Sequence, residues 1–358
     1  MSVQITVQGQ PFEILDSNEL SIVNNRTKTT DDWLLNTFFP SKVSFPNKDA
    51  VPLDELDTAQ PLAPFVSPLA QGKPITSQGE FSRGYVKAPY LKPADVVTPD
   101  TVYESALLGQ LQQNGIIGRG VLSAGEQLII AQVSKFNRLR QSINNRKILM
   151  ASEILTTGKM VAVGDDHPSL LIDFGRKAGL TFNPAIKWDE VGATPVSDIE
   201  TMIGNLVDIG GQAPRMALMS SKVFNAMNKS AEFKERLQKP LGSTAPDIFA
   251  PRFTRNDIPQ YRGDFDGIEF WTYDVTHKLT GMGQRFIPQT GFYLISDTGG
   301  YQAQCMIKHL EGYGQALEYF DYQVIERDPS TIKLLCESSP LIVPSNPNGV
   351  TGGDKFIS

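Results

Sequence analysis

Apolar and polar positions change their period several times along the 358 residues, and those changes mark the elements. The strongest signal runs from Ser123 to about Thr156. There Ile129, Val133, Phe136, Ile143, Met150 and Ile154 recur at spacings of four, three and seven, one continuous helical stripe. At about 1.5 Å per residue such a helix spans roughly 45–50 Å, longer than a small domain is wide. It predicts a spine along which other layers are hung. Upstream, residues 1–60 carry scattered apolar groups such as Trp33-Leu34-Leu35, which predict a short helix from Asp31 to Phe38 inside an otherwise extended arm.

Residues 61–93 hold six prolines, at 61, 64, 68, 74, 89 and 93. Two extended runs, Phe65 to Leu69 and Glu80 to Ala88, flank Gln71-Gly72-Lys73 and predict a long two-stranded hairpin. The second run alternates large side chains with small, yet its large ones are Phe81, Arg83, Tyr85 and Lys87, neither an oily core face nor an ordinary solvent face. A hairpin with so little apolar side chain has to lean on something else. Thr98-Pro99-Asp100 opens a helix predicted through Leu111, and the GIIGRG stretch at 115–120 breaks the chain as a hinge.

After Gly158 the pattern turns to short strands, Leu170-Leu171-Ile172 among the clearest. Ser197 and Glu200 read as a capping box for a helix buried through Ile199, Met202, Ile203, Leu206 and Val207 and stopped at Gly210-Gly211. A strand from Met216 to Met219, a helix from Ser221 to Leu237 and strands at Ile268–Tyr273 and Phe292–Ile295 follow, a compact mixed unit. The last part is strand-rich, with Ile332–Leu335 and Leu341–Val343. The fold class is α+β. The expected segments are an arm (1–60), a hairpin (61–93), a layer with the spine helix (94–195), a compact domain (196–310) and closing strands with a tail (311–358).

With 40% hydrophobic and 20% charged residues and a net charge of −6, the chain is not built to coat nucleic acid with a basic surface. It has no run of eighteen apolar residues and no signal-peptide layout, so neither a membrane nor export is expected. Two cysteines, Cys305 and Cys336, make no disulfide framework. His167, His277 and His309 stand in no ligand spacing, and no Walker loop, G-x-S-x-G elbow or C-x-x-C pair occurs. Asp173-Phe174-Gly175 matches a kinase triplet in letters only, and a strand-end turn explains it better. No catalytic residue, cofactor or metal is expected.

On the spine helix, Lys135, Arg138, Arg140, Arg146 and Lys147 follow one another with no acid between Glu126 and Glu153. They read either as a solvated face or as one that meets carboxylates or a polyanion. At about 100° per residue Arg140 and Lys147 fall within about 20° of each other, with Asn144 between them. These two are expected to flank the buried stripe, stems packed on it and charged heads reaching outward to acids of the same or a neighbouring subunit. Lys135 and Arg138 lie on a different face, freer to meet solvent or an inner polyanion.

Taken in order, arm, hairpin, spine helix, compact domain and closing strands resemble the tailed-phage major capsid proteins of the Hong Kong 97 fold, and among them the lambda-type family. The hairpin run Glu80-Phe81-Ser82-Arg83-Gly84-Tyr85-Val86-Lys87 is similar to that family's, with Ala88 standing before Pro89 where the family has the proline at once. Ile130-Ala131-Gln132-Val133, Asp173-Phe174-Gly175-Arg176, Asp198-Ile199-Glu200, Phe233-Lys234-Glu235-Arg236-Leu237, Phe286-Ile287-Pro288 and Ser339-Pro340-Leu341 continue the likeness in order. Residues 1–30 and the loop at 238–262 carry no match.

The resemblance implies a shell protein that assembles with itself as hexamers and pentamers in the virion, formed in the host bacterial cytoplasm around double-stranded DNA that it touches weakly. A separate scaffold protein, a portal and a decoration protein are the implied partners, with no scaffolding domain fused to this chain. The hairpin then reaches over a neighbouring subunit, where Phe81, Tyr85 and Tyr90 bring apolar area and Arg83 and Lys87 pair with acids. Another virion interaction protein, or an enzyme with a site split across domains, are the rival readings.

Overall fold

The computed structural model describes residues 3–7, 10–14, 32–56, 81–99, 124–164, 167–230, 232–233, 259–265, 267–278, 283–296, 299–328 and 330–358. Its first half holds strands β1 (Val3–Val7) and β2 (Gln10–Ile14), helix α1 (Trp33–Phe38), and strands β3 (Ser41–Phe45), β4 (Ala50–Leu56), β5 (Phe81–Lys87) and β6 (Ala94–Val97). Helix α2 (Ala124–Thr157), strands β7 (Lys159–Gly164) and β8 (His167–Asp173), helix α3 (Pro195–Gly210), strand β9 (Met216–Met219) and helix α4 (Ser221–Lys229) come next. The rest is strand: β10 (Gln260–Phe265), β11 (Ile268–Thr272), β12 (Thr276–Lys278), β13 (Gly283–Arg285), β14 (Phe292–Ile295) and β15 (Tyr301–Cys305). It closes with β16 (Phe320–Arg327), β17 (Ser330–Glu337), β18 (Pro340–Val343) and β19 (Val350–Gly353).

The predicted spine is α2, and Phe136, Ile143, Met150 and Ile154 of its stripe are each 4% exposed or less. The buried residues form three clusters, two of which include it. One joins the C-terminal half of α2 to α1 and to the sheet β18-β15-β3. A smaller one lies under its N-terminal half, where Phe136, Leu139 and Ile143 meet Ile332 and Leu334 of the sheet β16-β17-β6. The third belongs to the far side of a five-stranded sheet ordered β10-β11-β9-β14-β19. Strand alternation explains that division: Leu218, Tyr293 and Ile295 face the first cluster while Ala217, Met219, Phe292 and Leu294 face the third. Helices α3 and α4 cover the second face, so both sides of the sheet are buried and its central strands read as unbroken apolar runs.

Several expectations need correction. The strand containing Tyr85 does pair antiparallel, but its partner is β4, with Pro52 opposite Tyr85, inside the segment expected to be arm; Phe65–Leu69 lies outside the described residues. The arm is not loose from residue 33 onward. Leu34, Leu35, Phe38 and Phe39 are buried in the main core, and β3 adds a parallel edge to β15. The closing strands do not stay together either, because β19 crosses to complete the five-stranded sheet and Phe356 is fully buried beyond it.

Helix α3 starts at Pro195, so Ser197 is already inside it. The free N–H groups of Val196 and Ser197 donate to the Glu232 carboxylate, at 2.9 and 3.2 Å, in place of a local capping box. Val207 is 44% exposed rather than core. Helix α4 stops at Ser230, whose backbone turns extended, and Phe233 reaches the core from the next turn; Leu237 lies outside the described residues. The helix expected from Thr98 to Leu111 is described only to Pro99, and GIIGRG is outside as well.

Candidate interaction surface

Strands β4 and β5 form a ribbon that pairs with no further strand among the described residues. Its root is fixed: Val51 and Ala88 are buried in the main core and Val86 packs against it. Beyond the root Tyr85 is 66% exposed and Lys87 is exposed, its Nζ 4.0 Å from Asp49. Phe81 and Arg83 stand opposite Leu56 and Asp54 in register, on the same alternating positions as Tyr85 and Lys87; their side chains lie outside the description.

Tyr90 is tied within the subunit. Its hydroxyl donates to Glu337 and accepts from the backbone N–H of Lys308, which ties the residues after β5 to β17 within one subunit. Tyr322 and Lys92 complete the arrangement, each 2.8 Å from the other Glu337 oxygen. Burial alone would raise the Glu337 carboxyl, but the bonds from Lys92, Tyr90 and Tyr322 outweigh it and hold the group below its usual range.

Arg140 and Lys147 share one side of α2, as their spacing required, but their heads do not reach outward. Arg140 is 3% exposed and donates through Nε and Nη2 to Asp321, with the Nε bond 2.8 Å long. Lys147 is fully buried, its Nζ 2.7 Å from Glu318. Tyr319 lies between them, its ring 5.1 Å from the Arg140 guanidinium and 4.8 Å from the Lys147 ammonium. Asn144, one turn from each, donates to Asp32 at the start of α1. The charges turn inward because the start of β16, with Asp321, and the residues Glu318 and Tyr319 leading into it pass over this face, and a buried charge needs its counter-charge at hand. Burial pushes the Lys147 ammonium down, while Glu318 stays below the usual carboxylate range because Lys147 and Lys42 outweigh its own burial.

Lys135 and Arg138 part company. Arg138 is exposed, whereas Lys135 is half-buried 3.1 Å from Asp95 and donates to the Val96 carbonyl, so it is not free for an inner polyanion. The partners Asp95, Glu318, Asp321 and Glu337 escaped the sequence reading. Asp95, Asp321 and Glu337 sit in strands and Glu318 in the stretch leading into β16, and only the fold decides what these segments lie beside.

Asp173 makes the expected turn, accepting from the Gly175 N–H at 2.9 Å. The residue after it does more: Arg176 donates to the carbonyls of Ile154, Leu155 and Thr156 and so closes the C-terminal end of α2. Burial pushes its guanidinium down to about 10. Cys305 and Cys336 are buried, and burial lifts the first thiol to about 11 and the second well above its ordinary value, so neither is a ready nucleophile. Among the described residues no cluster of three or more His, Cys, Asp or Glu is placed to hold a metal, and no helix is long and apolar enough to cross a membrane.

This arrangement is that of a chain whose buried charges Arg140 and Lys147 are paired internally and whose β4–β5 ribbon leaves Tyr85 and Lys87 exposed. Comparison with known proteins agrees. The family described as phage major capsid protein E matches residues 16–354. The P21 prophage-derived major head protein of Escherichia coli O6:H1 strain CFT073 is 22% identical over 345 residues, covering 90% of this chain and 92% of that one. The major capsid protein of Enterobacteria phage P21 aligns with the same figures, 22% identity over 345 residues. Among solved structures, a capsid protein of an Escherichia coli CFT073 prophage superposes with a TM-score of 0.68 at 18% identity, covering 95% of this chain and 99% of that one. At that identity the likeness speaks to the fold alone, and the family match carries the rest: the chain belongs to the phage major capsid protein E family, a phage head-shell protein with the Hong Kong 97 fold.

Proposed function

We propose that the chain assembles with itself into hexamers and pentamers that close an icosahedral shell around double-stranded DNA. Its role is then structural rather than catalytic. The observation that carries this is the β4–β5 ribbon, whose root is locked in the core at Val51 while Tyr85 stands 66% exposed beyond it. A face of aromatics and cations stays soluble on the free subunit and becomes buried only on assembly. The net charge of −6 supports weak rather than tight contact with packaged DNA. A separate scaffold protein, a portal and a decoration protein fit this role, as does assembly in the host cytoplasm. Negative-stain microscopy tests it: co-expression with the scaffold protein should give uniform closed shells, and the chain alone few or aberrant ones. A chain that stays monomeric under both conditions would overturn the reading.

A further inference from the structure

Between the middle of α2 and residues 90–93 lies a cleft of about 460 Å³ whose walls are of mixed kind. Leu91, Pro93 and Leu149 make its apolar sides, while Arg146, Lys92 and His277 bring nitrogen that is cationic or can become so. Lys92 is bound to Glu337 yet half exposed. Arg146 makes no ion pair among the described residues; the acid that feels it is Glu153, two turns further along α2. Beside the cleft the surface continues as an apolar ledge. Lys308 binds the Tyr90 hydroxyl, and the next residues present Leu310 at 94% and Tyr313 at 68% exposure. His309 packs 5.0 Å from Phe320 and 4.4 Å from Tyr322, so this ledge is stapled down.

An occupant suited to such a cleft brings a carboxylate next to a small apolar side chain. The chain itself presents that pair after Trp188, which is 2% exposed and packs 4.9 Å from Phe292 and 4.7 Å from Phe356. The turn that follows therefore stands on a rigid base. Asp189 is used, accepting from the Ser358 N–H, but the Glu190 carboxylate makes no ion pair among the described residues and Val191 is 102% exposed. Trp188 belongs to the buried cluster on the far side of the five-stranded sheet from α2. Turn and cleft are thus two different surfaces of one chain, and contacts between unlike surfaces are what close copies into rings. A nucleic-acid backbone fits less well, because an apolar-walled cleft with one unpaired guanidinium offers no track of cations.

We propose that the cleft beside α2 receives the Glu190–Val191 turn of a second copy, with the carboxylate against Arg146 and the valine against Leu91 and Leu149. This rests on the shell-forming role above. The test compares assembled particles of the parent with Arg146→Glu, Glu190→Arg and the double variant, together with parent particles carrying a photo-reactive benzoylphenylalanine at Asn145. Each single reversal sets like charges together and should cut closed-particle yield by about tenfold or more, with the subunit's thermal melt unchanged. The double variant should recover most of the parent yield, and the Asn145 probe should cross-link the peptide containing Glu190 of another copy. Cross-links to DNA or to any other segment, or a double variant no better than either single, overturn the proposal. If Arg146→Glu does not fold, Glu190→Arg with the cross-link decides it. A parent that forms no particles at all overturns the shell role itself.

Discussion

Arg138 and Arg140 are two residues apart on α2 and stand in unrelated surroundings. Arg138 is exposed, while Arg140 lies under β16 with Asp321 as its counter-charge. Reversing an exposed charge that has no partner shifts stability by about 0.5 kcal/mol or less. Breaking a buried pair costs about 3–5 kcal/mol, because the remaining charge stays buried and uncompensated. Urea unfolding of the isolated subunit should therefore leave Arg138→Glu near the parent, whereas Arg140→Glu should yield little folded protein. Equal midpoints for the two variants would contradict this placement. Helix geometry made it legible that Arg140 and Lys147 share a side. It did not reveal which way they face, since the acids that draw them inward are more than 170 residues away in sequence.

At the scale of elements, α2 is held at its end by a residue from outside it. Arg176 supplies donors to three carbonyls of the last turn, of which that of Ile154 also accepts from the Gly158 N–H, and Gly158 lets it approach: a Cβ there would lie 2.7 Å from the Arg176 Cβ, at a φ of +72°. Arg176→Ala takes its donors from the Leu155 and Thr156 carbonyls and should cost about 2–3 kcal/mol, read as an earlier loss of helical circular dichroism in denaturant. Arg176→Lys, with one point charge instead of a fork, should recover only part of it. The β4–β5 ribbon behaves in the opposite way. Tyr85 touches little of its own subunit, so Tyr85→Ala should leave the monomer's melting temperature in place and lower the yield of assembled particles. A monomer that fails to fold, or particle yields equal to the parent's, would refute the ribbon's role.

For the whole molecule, two carboxylates, one half-buried and one buried, join separate layers: Glu318 joins β16's approach to α2 and to Lys42 of β3, and Glu337 joins β17 to Tyr90 and Lys92. Both have folded values held below the usual carboxylate range. A carboxyl depressed on folding contributes its full stability above its unfolded value. That contribution is lost as pH falls from there through the folded value. Stability should therefore be level from neutral pH down to about 5 and decline below about 4.5, where unfolded carboxyls begin to take up protons. Glu337→Gln should flatten that decline while lowering stability at neutral pH. A parent curve that stays level to pH 3 would show that these bonds do not link the layers.

Local patterning by itself determined the elements with the strongest periods. A stripe at spacings of three, four and seven can only be buried as a helix, so α2 was legible to within a residue at each end. The short apolar runs 216–219 and 292–295 read as strands and are strands, and the fold adds that both their faces are covered. The ordered set of short motifs carried the likeness to a capsid fold. What only the tertiary structure decided was partnership across long separations. Strand β5 pairs with residues 50–56, a segment whose own pattern reads as arm, because register depends on which strand the core root presents, and Val51 is that root. The end after Pro344 is rich in Pro, Gly and Asn, yet Phe356 and Ile357 are buried, since two apolar side chains suffice once a sheet edge waits beside them. Arg140 and Lys147 read as reaching outward and lie in a buried seam. Charge sign is written in the residue, whereas its burial is set by what the rest of the chain lays over it.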